Sequence, residues 1–311
     1  MNTGKQYGGL IVPMVTPFAS GRIDREAVCR IIDYLTDGGT AGIFVLGTTG
    51  EAPSISPEQK KELVEITVRH TKGRARVYAG ISDNCFENSV RAARTYFALG
   101  VEAVVAHLPW YYSLNDAEIQ GYFQSLADEI DGPLMLYNIP KTTHMSIPIE
   151  GIERLSRHCH IVGIKDSADD PERMEQMIKT FAHREDFCYV LGCAKWSAKA
   201  VLLGADGIVP SSANLVPQLY RDLFESARCG NQTAAFELQE QTNRISSLYQ
   251  ENRSLGQSLA ALKIMMSLAG LCGPEMLKPL QTADAALKIE LENRMMKIPA
   301  LKTLLEKKKG L

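Results

Sequence analysis

The 311-residue chain is poor in the features that usually betray a location or a macromolecular partner. No apolar run approaches the roughly 20 residues that a membrane span requires. The opening MNTGKQYGG is polar and glycine-bearing and lacks the apolar centre of a signal peptide. An excess of charge is also missing. Lys and Arg number 34 against 36 Asp and Glu, a net charge of -2, which argues against nucleic acid or an anionic membrane as the main partner. The one basic run, Lys307-Lys308-Lys309, reads as a solvated tail. Seven cysteines, odd in number and scattered without a CxxC pair, fit reduced thiols in a cytoplasmic protein better than a disulfide framework. His158-Cys159-His160 groups metal-ligand types, but strand neighbours would alternate in direction and no second cluster completes a ligand set. No metal and no cofactor are expected. Linkers, low-complexity segments and long repeats are absent too.

What the chain has is an alternation of short apolar runs with longer amphipathic ones. Candidate strands are GLIVPMVTPF (9–18), GIFVLGTTG (42–50), RVYAGIS (76–82), AVVAHLP (103–109), PLMLYNIP (133–140), IVGIKDS (161–167), CYVLGCA (188–194) and GIVPSSAN (207–214). Between them lie helical patterns with recognisable starts at Asp24, Ser56-Pro57 and Asp170-Pro171, and stops at Gly38-Gly39, Gly73, Gly100 and Gly204. Near-continuous apolar strands imply burial on both faces, the habit of a parallel sheet covered by helices. The alternation therefore predicts an α/β fold, a (β/α)8 TIM barrel, over residues 1–230. No GxGxxG follows the first strand, which disfavours a doubly wound sheet. Residues 231–311 read as a C-terminal helical extension packed on the barrel, with PEMLKPLQ as a loop between helices.

In such a barrel the chemistry lies at the C-terminal strand ends. One of those ends poses a question: Ile161-Val162-Gly163-Ile164 runs straight into Lys165. A lysine there is either a packed stem with its head in solvent or a desolvated amine held for covalent chemistry. Around it the strand ends supply hydroxyls and backbone donors but no Gx4GK[ST] phosphate loop. Thr48 and Thr49 taken alone fit ordinary turn chemistry, and Tyr137 alone fits a core tyrosine. Glu51 reads as a loop anchor. Lys195 and Lys199, the rival amines, read as solvated residues at a helix start.

Three motifs, GTTGE at 47–51, YNIP at 137–140 and GIKDS at 163–167, stand in order at the ends of the second, fifth and sixth candidate strands. Together they resemble the dihydrodipicolinate synthase / N-acetylneuraminate lyase family of pyruvate-dependent class I aldolases, over nearly the whole chain. The resemblance implies that Lys165 forms an imine with pyruvate and that Tyr137 shuttles protons. It implies further that Thr48 is a relay hydroxyl and that Tyr111 completes the relay from a neighbouring subunit, Tyr112 being the adjacent alternative. Thr48, Thr49 and Gly50 would grip the pyruvate carboxylate, Val209 would line the site through its backbone, and Gly192 and Thr142 would border the substrate. A homotetramer, a dimer of dimers, follows as the expected assembly.

Departures from the family pattern bear on the substrate. Thr142 stands where the synthases carry an arginine for the second substrate's carboxylate, and Lys141 is one position off. Gly192-Cys193-Ala194-Lys195 lacks the acidic pair of the sialic acid lyases. The pattern favours a carbon–carbon lyase acting on a 4-hydroxy-2-oxo acid or a 2-keto-3-deoxy sugar acid, with pyruvate and an aldehyde or 2-oxo acid as small-molecule partners. Alternatives are a dihydrodipicolinate synthase condensing pyruvate with aspartate semialdehyde, a metal-dependent aldolase, and a non-catalytic pyruvate-binding regulator.

Overall fold

The computed structural model describes residues 5–309, with side chains through 306. Residues 1–4 and the Lys307-Lys308-Lys309 side chains lie outside the described residues. Eight strands carry the fold: β1 Gly9–Pro13, β2 Gly42–Val45, β3 Arg76–Gly80, β4 Ala103–His107, β5 Leu134–Asn138, β6 Ile161–Asp166, β7 Cys188–Leu191 and β8 Gly207–Ile208. Each pairs in parallel with the next, and β8 closes on β1, so the sheet is a complete barrel with no free edge. The eight expected units are present, although the ladders are shorter than the apolar runs. Residues 9–18 illustrate this: pairing ends at Pro13, and Phe18–Ala19 instead forms a small antiparallel hairpin with Arg22–Ile23.

The apolar runs are explained by two different burials. Ile11, Phe44, Tyr78, Val105, Met135 and Val190 fill the barrel interior. The alternate positions, such as Leu10, Val12, Ile43 and Leu136, pack outward against the helices in one continuous core. Helix starts follow the sequence: the side chains of Asp24, Ser56 and Asp170 each accept from a backbone N–H three residues on. Gly100 ends its helix in the left-handed region at φ 98°, where a side chain would be strained.

After the barrel come helices Gln232–Gln250, Leu255–Leu268 and Ala285–Met295, with 274–281 as the expected loop. A further helix, Pro299–Lys309, was not foreseen; it starts on a proline, and Leu301 and Leu305 reach the common core. Helix Leu255–Leu268 is buried on most of its circumference, unlike the amphipathic helices of the barrel. No helix of the described residues is long and apolar enough to cross a membrane.

Candidate active site

Strand register assembles the centre. His107 pairs with Tyr137, Tyr137 with Lys165, and Lys165 with Val190, so the four sit at one level on neighbouring strands β4 to β7. Residues in register share a face, and Tyr137 and Val190 belong to the interior cluster, so Lys165 is delivered to the barrel mouth. The lysine is 5% exposed. Its Nζ lies 4.0 Å from the Tyr137 ring centroid and 4.9 Å from that of Phe44. No carboxylate pairs with it among the described residues. Gly192 leaves room for the stem: a Cβ there would lie 3.2 Å from Lys165 Cε and collide with Ser167 Oγ.

The next residue behaves in the opposite way. Asp166 is still within β6, and strand alternation turns it outward. There it is buried and accepts from Arg173 Nε at 2.7 Å, Asn138 Nδ2 at 2.9 Å and Ala168 N–H at 2.9 Å. Asp166 is thus a fully paired residue, and the polar exit from the barrel begins one position later.

The GTTGE segment forms a tight turn after β2. Thr48 Oγ1 comes within 3.4 Å of the Tyr137 hydroxyl, so the two relay candidates meet. Gly50 N–H is bonded to Gly47 O, and a Cβ at Gly50 would lie about as close as contact allows to Met14 O and Thr16 Oγ1. Gly50 thus serves the turn sterically, while the Thr48 and Thr49 N–H groups make no hydrogen bond among the described residues. Glu51 is the anchor expected of it. Held at φ 57°, it meets Lys263 Nζ at 2.5 Å and accepts from Leu277 N–H at 3.1 Å. Lys263 is 1% exposed; burial pushes its pKa down, Glu51 pulls it back up, and its ammonium also donates to Glu275 O.

A cavity of about 700 Å³ opens over this rim, lined in part by Phe44, Thr48, His107, Trp110, Tyr137 and Thr142. Lys165 does not line it directly; its amine lies against the Tyr137 and Phe44 rings, which do. Thr142 sits in the short helix Pro140–Thr143 with its hydroxyl bonded back to Ile139 O. Lys141 is exposed and is not part of the wall. The cations that do reach the cavity, Lys60, Lys61 and Arg91, come from helices Pro57–Thr71 and Phe86–Leu99. Sequence reasoning did not single them out, because nothing in a helical surface pattern tells which lysine overhangs a barrel mouth.

Residues 6–298 match the model of the dihydrodipicolinate synthetase family. The chain belongs to this family. A 4-hydroxy-tetrahydrodipicolinate synthase of Staphylococcus haemolyticus is 29% identical, over 92% of this chain and 96% of the relative. The solved dihydrodipicolinate synthase of Bacteroides thetaiotaomicron superposes with a TM-score of 0.90 at 30% identity, covering 96% of this chain and all of that one. A prophage protein of E. coli K12, belonging to the dihydrodipicolinic acid synthase family and solved in complex with pyruvate, gives 0.89 at 25% identity over 94% of this chain and 99% of its own.

In this family member the remaining candidates fall into two groups. Val209 is buried at the β8 end beside Tyr137 in the interior cluster, its N–H on Leu191 O. Tyr111, by contrast, is 77% exposed and makes no contact with Thr48 or Tyr137; its ring packs on Tyr112. Lys195 and Lys199 are surface residues held by Asp169 and Glu175. His158-Cys159-His160 lies in a turn, not on a strand, so its side chains converge, with ligand atoms within 4.8 Å of one another. The alternation expected there is therefore wrong. Both His158 nitrogens are nonetheless engaged, with Asp128 and with His160 N–H, and His160 Nδ1 is on Ala127 O.

Proposed function

We propose that the chain is a class I aldolase or lyase in which Lys165 forms an imine with pyruvate or a pyruvate-derived 2-oxo acid. The observation that carries this reading is the juxtaposition at one barrel level. A 5% exposed strand-end lysine without an acid partner stands against the Tyr137 ring, whose hydroxyl is 3.4 Å from Thr48 Oγ1. The pyruvate bound by the E. coli relative supports it.

The chemistry follows from these groups. Nζ attacks the C2 carbonyl of the 2-oxo acid, and loss of water leaves an iminium on Lys165. The iminium is an electron sink. As Tyr137 takes the proton of the 4-hydroxyl, the C3–C4 bond breaks, its electrons form the C2=C3 enamine, and an aldehyde or 2-oxo acid departs. Protonation at C3 and hydrolysis release pyruvate and the amine. The unbonded Thr48 and Thr49 N–H groups suit the substrate carboxylate. Thr48 passes the proton on from Tyr137, with Tyr111 of a second copy as the next member. The exposed Trp110, Tyr111 and Tyr112 support assembly, and we take the homotetramer as the working state. Residues 231–311 act as an extension of the 1–230 barrel, and seven free cysteines accord with a cytoplasmic setting.

The favoured substrates are 4-hydroxy-2-oxo acids and 2-keto-3-deoxy sugar acids. The second reading, condensation of pyruvate with aspartate semialdehyde, is favoured by the relatives' names. Against it stand the threonine at 142 and the outward Lys141. A panel decides: pyruvate release from 4-hydroxy-2-oxo acids is expected to exceed condensation with the semialdehyde, and the reverse order would favour the synthase.

A further inference from the structure

His107 stands at the cavity edge in register with Tyr137, its ring 5.9 Å from the tyrosine ring and 5.6 Å from Trp110. Its own backbone N–H is fixed on Ser82 Oγ at 2.8 Å, and its Nδ1 lies 2.8 Å from Leu108 O. A carbonyl oxygen only accepts, so Nδ1 must carry the proton. Burial and the charge of Lys165 both push the imidazole pKa below its usual value, while the Leu108 bond opposes them. In the neutral ring Nε2 is then a bare acceptor, and it has no partner among the described residues. A neutral acceptor receives a hydroxyl and repels a carboxylate.

Resting on the aldolase reading above, we infer that His107 is a specificity-determining residue: its Nε2 takes a hydrogen bond from a hydroxyl on the leaving half of the substrate. The 4-hydroxyl belongs to the adjacent Tyr137, so the hydroxyl read by His107 lies beyond C4. Thr142, with its hydroxyl bonded to Ile139 O, is itself uncharged, and the cations that reach the cavity, Lys60, Lys61 and Arg91, come from two helices at its side. The preferred substrate is accordingly a 2-oxo acid hydroxylated beyond C4.

Two acids of equal carbon count test this: 4,5,6-trihydroxy-2-oxohexanoate and 4-hydroxy-2-oxohexanoate. The wild-type protein is expected to cleave the first with kcat/KM about tenfold higher or more, the scale of one well-made hydrogen bond to substrate. His107→Phe should erase that preference by raising KM for the trihydroxy acid, while borohydride trapping of the pyruvate adduct stays within about twofold. Equal wild-type rates for the two acids would overturn the inference even if the variant fails to fold. A variant that lost both substrates equally would overturn it as well. Failure of trapping in the wild-type protein would instead strike the underlying imine reading, so the two failures are distinguishable.

Discussion

Lys165 and Lys263 are both nearly sealed from solvent, at 5% and 1% exposure, yet one faces two aromatic rings and the other a carboxylate. Lys263 lies on a C-terminal helix and donates to Glu51 and to Glu275 O, with the Phe18 ring 4.2 Å away. Every direction its ammonium can take is filled. Lys165 has two π faces and a glycine beside it, and among the described residues no carboxylate holds its amine as one half of an ion pair. The first arrangement suits structure, because a buried charge left without its partner is costly. The second suits chemistry, because the amine is positioned without being consumed. The two are linked: Glu51 closes the same GTTGE turn that brings Thr48 to Tyr137.

The sharpest way to break this contrast is to remove each lysine. Lys165→Ala should lower kcat by about a thousandfold or more while leaving the urea midpoint near that of the wild type. Full activity in that variant would end the distinction. Lys263→Met should do the converse first, costing about 3–5 kcal/mol in urea unfolding because Glu51 is left buried and unpaired. Adding Glu51→Gln removes the orphan charge and should restore part of that loss; no recovery would mean the pair is not the cause. Tyr137→Phe keeps the ring against Lys165 but removes the hydroxyl proposed as the relay. A fall of about a hundredfold in kcat is expected, with the pyruvate adduct still trapped. The smallest effect is the most exclusive: a chelator should leave turnover unchanged, and a loss restored by a divalent ion would favour the metal-dependent rival.

Much of this was legible in the sequence because barrel strands advertise themselves. An apolar run buried on both faces is hard to hide, and a charged residue at its end stands out, as Lys165 does after Ile164. Tyr137 and Thr48 needed the motif context, since a tyrosine or a Thr-Thr-Gly turn alone has ordinary explanations. The Lys263–Glu51 pair was not readable. Its members are 212 positions apart, and a lysine inside an apolar helix gives no hint of which turn it will meet. The converging side chains of 158–160 were missed because a turn was read as a strand. The free acceptor on His107 depends on a carbonyl one residue away, a matter of local geometry that spacing does not encode.

The most direct test of the central claim is borohydride reduction in the presence of pyruvate, followed by peptide mass spectrometry. One dominant adduct is expected, on Lys165, and none on Lys263, Lys195 or Lys199. An adduct on any other lysine, or no adduct at all, would contradict it.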